Sequence, residues 1–346
     1  MEAPIKLEII NMTKLYKNGD GVKNIDLSVH EGELLTLLGP SGCGKTTILR
    51  TIGGFLDING GDILIDGKSI VAMPPEKRPT AMVFQSYNLW PHMTVYDNLE
   101  FGLKLRHVPK AERAQRIAEG LELVHMSGFE KKYPGQMSGG QQQRIAIARS
   151  LLLQPQVLLL DEPFSALDAK IRMQMREELR KIQTDLRITV VFVTHDQEEA
   201  MMLSDRIVVM SKGHIEQDGS PREIYDHPSS HFVASFIGEM NFLDMGQARQ
   251  LAVRPENITV RPGTGGDVDG YVRTVMMLGH YIELTADTDH GIVKAFITAD
   301  EARQFKKGDA VAMKFHETFE YNEDAQKEEF DLAKGPNANK QNEGGN

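Results

Sequence analysis

Residues 39–47, with the sequence GPSGCGKTT, constrain this chain more than any other stretch. They match the pattern G-x-x-x-x-G-K-[ST] at every fixed position, and the glycines of that pattern let backbone N–H groups turn inward around anionic oxygens. The apolar run 33–38 predicts a strand before the loop, and 47–52 predicts the start of a helix after it. Because a helix N-terminus adds partial positive charge, we predict a phosphate-binding loop here. The alternative is a glycine-rich turn that binds nothing, which both neighbours disfavour.

Two side chains of the loop have expected roles of their own. Lys45 should reach the terminal phosphates, and Thr46 should offer its hydroxyl to Mg²⁺, a cation that keeps several of its waters. Cys43 is the single cysteine, which excludes an internal disulfide and suits a reducing cytosol. It occupies a variable position and is expected to be filler, although a helix N-terminus can lower a thiol pKa and make it modifiable. The predicted ligand-binding residues of the loop are Gly39, Pro40, Ser41, Gly42, Cys43, Gly44, Lys45, Thr46 and Thr47.

Composition limits the class of protein. The chain has 346 residues, of which 40% are hydrophobic and 25% charged, which suits two globular domains. Its apolar runs are too short to span a bilayer, and the first residues lack a signal-peptide organisation. The net charge of −10 argues against a general nucleic-acid binder. We therefore expect a protein that stays on the side of the membrane where it is made and does not bind nucleic acid.

Polar side chains follow three apolar runs that read as buried strands. Gln85 ends the run 80–84, Asp161 and Glu162 end the run 157–160, and His195 follows the run 188–193. In a doubly wound sheet the carboxyl ends of the strands gather ligands, so these groups should face the phosphate loop. An acid at the end of a buried strand is costly unless it serves a metal or acts as a base. A lone histidine is usually structural, but its position at a third strand end favours a role.

A helical block separates these strands. Apolar spacing predicts helices over 94–105 and 110–123, and residues 133–144 read as a turn that opens another helix. The backbone N–H groups of 138–141 would form a second anion site. The segment 87–92 concentrates aromatic side chains, which either pack inside the domain, as composition favours, or anchor a partner. Tyr16 either stacks on a purine or covers the sheet, and spacing does not separate these alternatives.

These parts together resemble the ATPase subunits of ABC transporters over residues 5 to about 235. The resemblance rests on their order in the chain: Tyr16, Gly39 to Thr46, Gln85, Met137-Ser138-Gly139-Gly140-Gln141, Leu160-Asp161-Glu162, Ser165 to Asp168, and His195. A phosphate loop alone indicates only an NTPase, whereas Ser-Gly-Gly-Gln just before an Asp-Glu strand is specific to this class. Met137 stands where the family usually has Leu, a swap that keeps volume and hydrophobicity. The resemblance implies an α/β P-loop NTPase core at 1–235 with a helical subdomain inserted at about 87–150.

The resemblance also implies residue roles for ATP and Mg²⁺. Tyr16 would stack on adenine, Gln85 would touch Mg²⁺ and the attacking water, and Asp161 would hold the metal through water. Glu162 would be the general base, and His195 would contact the γ-phosphate and link it to the base. Lys45 and Thr46 keep the roles given above. The residues that would contact the nucleotide of a second copy are Ser138, Gly139, Gly140, Gln141 and Asp168.

The implied partners follow from that dimer. Two ATP molecules would be sandwiched between two subunits, and their hydrolysis would open the dimer. Integral membrane permease subunits would dock near residues 85–92, with Tyr87, Leu89 and Trp90 as anchors. A solute-binding protein outside the cytoplasm would act indirectly, and this chain would lie peripherally on the cytoplasmic face of the cell membrane.

The last third of the chain changes character. Short apolar runs at 251–255, 270–278, 281–286, 291–297 and 310–315 predict a small β-barrel. The phrase AVRPE at 252–256 resembles the start of the regulatory TOBE domain, an OB-like barrel appended to importer subunits for metal ions, oxyanions, polyamines and sugars. We therefore predict a TOBE-like domain at 236–318, and a polar tail at 319–346 that lacks fixed structure.

The predicted function is hydrolysis of ATP to power solute import through a permease. The first alternative is that the chain is the ATPase subunit of an exporter. A second, less favoured alternative is a soluble ABC ATPase that acts in translation or DNA repair. The sequence lacks the two ATPase units of such translation factors and the long coiled coils of such repair proteins. Its overall resemblance favours ferric iron, polyamine or phosphonate systems, and the sequence does not identify the solute.

Overall fold

The computed structural model describes residues 3–244, 249–279 and 281–322. It forms two compact units, Met1–His227 and Pro228–Asn346. The strands of the first unit are β1 Ile5–Leu15, β2 Gly21–His30, β3 Leu34–Leu38, β4 Gly60–Ile65, β5 Lys68–Ser69, β6 Thr80–Val83, β7 Val157–Asp161, β8 Thr189–Thr194, β9 Arg206–Ser211 and β10 His214–Gly219. Its helices are α1 Lys45–Ile52, α2 Val95–Leu105, α3 Lys110–Leu123, α4 Gly139–Leu151, α5 Ala169–Leu186, α6 Gln197–Leu203 and α7 Pro221–Asp226.

A six-stranded sheet in the order β10-β9-β3-β8-β7-β6 forms the centre of this unit. All neighbouring pairs from β9 to β6 run parallel, and β10 pairs antiparallel to β9. Strands β3, β7 and β8 are buried along their whole length, which explains why they read as continuous apolar runs. Because the strands are parallel, their carboxyl ends meet at one edge, as the sequence predicts.

A second, antiparallel sheet in the order β2-β1-β4-β5 packs over the first. Side chains of both sheets and of α1 share one apolar core, which includes Leu7, Ile9, Leu37, Ile48 and Leu159. The helix that follows the phosphate loop is therefore fixed between two sheets, so the loop is held at both of its ends.

The helical block has its own apolar core. Helices α2, α3 and α4 contribute Val95, Leu99, Ile117, Leu121 and Ile145 to it. Thr94 caps α2 together with Asp97, and Ser138 caps α4 together with Gln141, each in a capping box. The helix starts predicted from sequence thus coincide with residues that satisfy the free N–H groups of the first turn.

The second unit begins with α8 His231–Phe236 and is otherwise mostly strands. These are β11 Asn241–Asp244, β12 Arg249–Val253, β13 Ile258–Pro262, β14 Val268–Met277, β15 Ile282–Thr288, β16 Gly291–Ile297, β17 Ala310–Phe315 and β18 Thr318–Asn322, with a short helix α9 Ala299–Ala302. They form antiparallel sheets in the orders β11-β12-β18 and β13-β17-β14-β15-β16. This all-β arrangement fits the predicted OB-like barrel class.

The boundaries differ in detail from those predicted. The first compact unit ends at His227, eight residues before the predicted end of the ATPase domain at 235. Strand β18 includes the first four residues of the predicted tail 319–346, because it pairs with β12. Residues 323–346 lie outside the described part of the chain. Within the described residues, no helix has the length and apolar character needed to cross a membrane.

Candidate functional site

The predicted phosphate loop connects β3 to α1 and requires its glycines. Gly42 and Gly44 have φ angles of 83° and 107°, in the left-handed region that favours glycine. A Cβ on Gly44 would lie 2.2 Å from Val22 Cγ1, and one on Gly39 would lie 2.3 Å from the Met210 carbonyl oxygen. The loop is therefore held tightly against neighbouring strands while it turns into the N-terminus of α1.

Lys45 places its ammonium inside this loop. Its Nζ donates hydrogen bonds to the carbonyl oxygens of Gly39, at 2.7 Å, and Pro40, at 3.0 Å, and the residue is only 5% exposed. Cys43 Sγ lies 3.8 Å from the same nitrogen. Burial raises the pKa of the Cys43 thiol, although the positive charge of Lys45 opposes this. Because burial outweighs the favourable charge, the raised thiol pKa favours the prediction that Cys43 is filler over the alternative of a lowered, reactive thiol pKa.

Thr46 and Asp161 meet beside the loop. Thr46 Oγ1 donates to Asp161 Oδ1 at 3.0 Å, and Arg50 Nη2 lies 3.8 Å from Asp161 Oδ2. Burial raises the pKa of the Asp161 carboxyl, while the Thr46 hydrogen bond and the Arg50 charge oppose the shift. A hydroxyl and a carboxylate side by side form the hard oxygen donor set that suits Mg²⁺. The contribution of Arg50 was missed from sequence, where it read only as part of a helix.

Three strand ends converge on the Glu162 carboxylate. His195 Nδ1, after β8, lies 3.2 Å from Glu162 Oε1, and Gln85 Nε2, after β6, lies 3.5 Å from Glu162 Oε2. Gln85 also donates to Ser165 Oγ at 3.1 Å, and Ser165 Oγ donates to the Glu162 carbonyl oxygen at 3.0 Å. Glu162 itself has a φ of 44°, an uncommon backbone conformation for a residue other than glycine. The structure thus brings the three predicted residues together and adds Ser165, which sequence reasoning placed only in a turn.

Tyr16 lies beside the far end of the loop. Its hydroxyl shares a hydrogen bond of 3.1 Å with Thr47 Oγ1, and 43% of the residue is exposed. Lys14 Nζ lies 5.9 Å from the ring centroid. An exposed ring in this position is able to stack on a planar ligand held by the loop.

The second predicted anion site lies apart from the first. Ser138 Oγ accepts from the Gln141 N–H at 3.4 Å, and Ser138 and Gly139 are exposed at the start of α4. Asp168 is exposed too and caps α5, accepting from the Ile171 N–H at 3.1 Å. Among residues 3–244, no hydrogen bond joins these groups to the phosphate loop of the same chain. They instead present the exposed residues Ser138 and Gly139 at the start of α4, and the Asp168 carboxylate, to the outside.

The aromatic segment after Gln85 is only partly exposed. Tyr87 is 6% exposed and packs in the core, so the hypothesis that it anchors a partner is wrong. Leu89 is half-buried between two core clusters, and Trp90 packs against Phe101 with ring centroids 4.6 Å apart. Phe101 and Leu105, on the outer face of α2, are 36% and 65% exposed. The apolar surface next to this segment is therefore formed by Trp90 with α2, and not by Tyr87.

Arg149 fixes the shape of the same segment. Its guanidinium donates to the carbonyl oxygens of Tyr87, at 2.9 Å, and Asn88, at 2.7 Å, and lies 5.1 Å from the centre of the Trp90 ring. Tyr87 and Asn88 have φ angles of 60° and 48°. Two consecutive left-handed residues are costly, and the fork of an arginine on both carbonyls compensates for part of that cost. Sequence reasoning missed Arg149 because it lies 61 residues from Asn88.

Family models match both units. One described as ABC transporter matches residues 22–165, and one described as TOBE domain matches residues 251–318. Three relatives named spermidine/putrescine import ATP-binding protein PotA are similar along most of the chain. The one from Mannheimia succiniciproducens is 51% identical over 76% of this chain and 69% of its own length. The one from Aggregatibacter actinomycetemcomitans is 40% identical over 91% and 95%, and the one from Bacillus thuringiensis (strain Al Hakam) 45% over 90% and 96%.

The chain is also similar to solved structures. The chain is similar to cbiO1 from Clostridium perfringens, part of the ABC transporter complex cbiONQ, with a TM-score of 0.59 and 29% identity over 64% of this chain and 90% of that one. It is also similar to the ATP-binding cassette MJ0796, a dimer in a post-hydrolysis state with ADP and Pi, with a TM-score of 0.56 and 34% identity over 62% and 99%.

Proposed function

The chain belongs to the family of ABC transporter ATP-binding subunits that hydrolyse ATP to power solute import, and on that premise we propose that it serves the import of polyamines such as spermidine and putrescine. The relatives similar over nine-tenths of the chain carry that name, and polyamines are one of the three solute groups to which the sequence leans. This support comes from similarity, because the subunit that hydrolyses ATP need not contact the solute.

The residues of the phosphate loop are proposed to hold ATP. The N–H groups of the loop and of the first turn of α1 would bind the phosphates, Lys45 would neutralise their charge, and Tyr16 would stack on the base. Thr46 and Asp161, 3.0 Å apart, would hold Mg²⁺, with Gln85 reaching it from the end of β6. The bound cation supplies charge that offsets the negative charge of the phosphates.

One observation carries the proposed reaction: the Glu162 carboxylate lies within 3.5 Å of both Gln85 and His195. A general base must be within hydrogen-bond reach of the water it activates, and its neighbours must orient it. Glu162 is proposed as that base, Gln85 as the group that orients the water, and His195 as the contact to the γ-phosphate. Ser165 holds Gln85 in place through its 3.1 Å hydrogen bond.

The partners are proposed on the same basis. The ATPase acts as a dimer with a membrane permease, and Ser138–Gln141 with Asp168 would complete the nucleotide site of the second copy. The exposure of Ser138, Gly139 and Asp168 in this chain supports that role. A permease segment would dock beside residues 85–92, where Arg50, Gln85, Asn88 and Asp161 line a cleft of about 480 Å³. A solute-binding protein would deliver the solute from outside, and this subunit would lie on the cytoplasmic face of the membrane.

Replacing Glu162 by Gln tests the reaction. The change keeps the shape of the side chain and removes its basicity, so ATP should bind and close the dimer while turnover falls by about 10²–10⁴-fold. Glu177→Gln, on the exposed side of α5, is the matched control and should behave as wild type. Turnover of Glu162→Gln near the wild-type rate would refute the assignment of the base.

The solute is tested by reconstitution. The chain is purified from native membranes with the permease that accompanies it, and the complex is placed in vesicles with its binding protein. ATP-dependent uptake of labelled putrescine or spermidine is expected, with ferric iron and a phosphonate as comparisons. Uptake of a comparison solute without polyamine uptake would refute the polyamine proposal and leave the ATPase assignment intact.

A further inference from the structure

The two-residue turn Lys212-Gly213, which joins β9 to β10, has no part in the roles given above. Ser211 and His214 pair on either side of it, and the two turn residues have φ angles of 45° and 85°, as in a type I′ hairpin. Such a turn alone accounts for a glycine at its second position, because glycine adopts positive φ angles without a steric cost. The contacts of Gly213 indicate a further role.

The backbone of Gly213 joins two parts of the proposed ATP site. Its N–H donates to the carbonyl oxygen of Cys43, in the phosphate loop, at 3.1 Å, and its carbonyl oxygen accepts from the Lys23 N–H, on β2, at 3.5 Å. A Cβ on Gly213 would lie 2.3 Å from the Gly21 carbonyl oxygen, a distance that requires one of the two backbones to shift. The turn therefore lies in direct contact with both the phosphate loop and the start of β2.

The start of β2 is connected to the ring of Tyr16. Gly21 pairs with Leu15 in the ladder of β1 and β2, and Tyr16 directly follows Leu15. The Tyr16 N–H donates to the Asp20 carbonyl oxygen at 2.8 Å, so residues 16–20 form a closed turn. A shift of Gly21 would thus be carried to the Tyr16 ring, whereas the phosphate loop is fixed at its ends by β3 and α1.

We propose that Gly213 is a positioning residue that sets the spacing between the phosphate loop and the Tyr16 ring, so that one nucleotide reaches both. The proposal rests on the proposed function, because it takes the loop as the phosphate site and Tyr16 as the base contact. A side chain at 213 would move the β1–β2 hairpin away from the loop, since the hydrogen bond to Lys23 is longer than the one to Cys43. The phosphates would still bind, while the base would lose its stack.

The test compares the binding of ADP and of inorganic pyrophosphate, each with Mg²⁺, by calorimetry on the full-length protein. Neither ligand has a γ-phosphate, so turnover does not interfere, and the two differ by the adenosine group. Gly213→Ala should lower the ratio of ADP affinity to pyrophosphate affinity by about 5-fold or more, as loss of a base–aromatic stack does, and leave the pyrophosphate affinity within about twofold. Tyr16→Ala should lower the same ratio, and the double variant should lose no more than Tyr16→Ala alone.

Gly67→Ala is the matched control. Asp66 and Gly67 form a two-residue turn between β4 and β5 with φ angles of 49° and 70°, and a Cβ on Gly67 would meet no atom of the described residues within 4 Å. Both alanine variants place a side chain at a positive φ, so both should have a lower Tm, and only Gly213→Ala should change the affinity ratio. If Gly213→Ala does not fold, Gly213→Asn takes its place, because asparagine adopts positive φ more readily and adds the same Cβ.

Other results would overturn the proposal. An unchanged ratio in Gly213→Ala would do so, and an equal loss of affinity for ADP and pyrophosphate would mean that the turn supports the phosphate loop alone. A further fall of the ratio in the double variant would mean that Gly213 does not act through Tyr16. Tyr16→Ala separates these outcomes from a failure of the proposed function, because a wild-type ratio in that variant would refute Tyr16 as the base contact.

Discussion

Thr46→Val should destabilise the ATPase unit by an amount that follows from one contact. Thr46 Oγ1 lies 3.0 Å from Asp161 Oδ1. Asp161 also has a charged partner, Arg50, whose Nη2 lies 3.8 Å from Oδ2 and whose side chain is 47% exposed. Removing a hydrogen bond to a buried charged acceptor costs about 1.5–3 kcal/mol of unfolding free energy. For a unit of this size that corresponds to a fall in Tm of about 3–12 °C. Valine keeps the branched shape, so packing should contribute little.

The size of the loss should depend on pH. Burial already raises the pKa of Asp161 in the folded state, so the fold binds this proton more tightly than the unfolded chain does. Stability therefore falls as pH rises through the interval between the unfolded and folded pKa values. Loss of the Thr46 hydrogen bond raises the folded pKa further and widens that interval. The difference in unfolding free energy between Thr46→Val and wild type should be largest above this pH interval and smaller at lower pH, where Asp161 is protonated.

Thermal or urea unfolding without nucleotide measures both effects when it is followed from about pH 8 down to the ordinary Asp pKa of about 3.9. Thr46→Ser keeps the hydroxyl and should retain most of the stability, so it serves as the control. A Tm loss below about 1 °C, an equal loss in Thr46→Ser, or a loss that does not change with pH would refute the reasoning.

Three further substitutions have definite expected results. Lys45→Ala should weaken ATP binding by about 10–100-fold in calorimetry, because a charge-assisted contact to phosphate is lost, and unchanged affinity would contradict its role. Tyr87→Phe should leave the unfolding free energy unchanged or raise it by up to about 1 kcal/mol, since the buried hydroxyl has no hydrogen-bond partner within the described residues; a clear loss in urea unfolding would contradict this. Trp90→Ala should reduce permease-stimulated ATP hydrolysis more than ATP binding, and an equal loss of both would indicate a purely structural role for Trp90.

The sequence predicted the central sheet well because burial on both faces leaves a simple signal. Strands β3, β7 and β8 are uninterrupted apolar runs, and parallel pairing brings their polar ends together without further information. Short strands without such a run were missed: β11, β13 and β18 are four or five residues long. Strands β13 and β18 form by pairing with strands that are distant in sequence, β17 and β12. Helix α7 was missed as well, although Ser220, Pro221 and Glu223 form a recognisable helix start.

The candidate site likewise contains residues that the sequence predicted and contacts that it did not. Motif residues that follow strands, such as Gln85, Glu162 and His195, were brought together as predicted. The hydrogen bond between Gln85 and Ser165 was not predicted, because hydrogen bonds between residues distant in sequence leave no pattern along the chain. Tyr87 shows the opposite error, since an aromatic residue beside a proposed docking segment looks available until its burial is measured.

The hydrogen bonds from Arg149 to Tyr87 and Asn88 have a consequence for how two subunits would be coupled. Arg149 lies in the last turn of α4, and Ser138 caps the other end of the same helix, 13 residues long and so about 20 Å. Residues 87–88, which Arg149 holds, and the segment Ser138–Gln141 are thus connected to opposite ends of one helix, α4. If Ser138–Gln141 contacts the ATP held by the second copy and a permease docks beside residues 85–92, both as proposed, a force from the permease on one subunit would reach the nucleotide site of the other. The permease contact of each subunit would then be coupled to the nucleotide site that holds the other subunit's ATP.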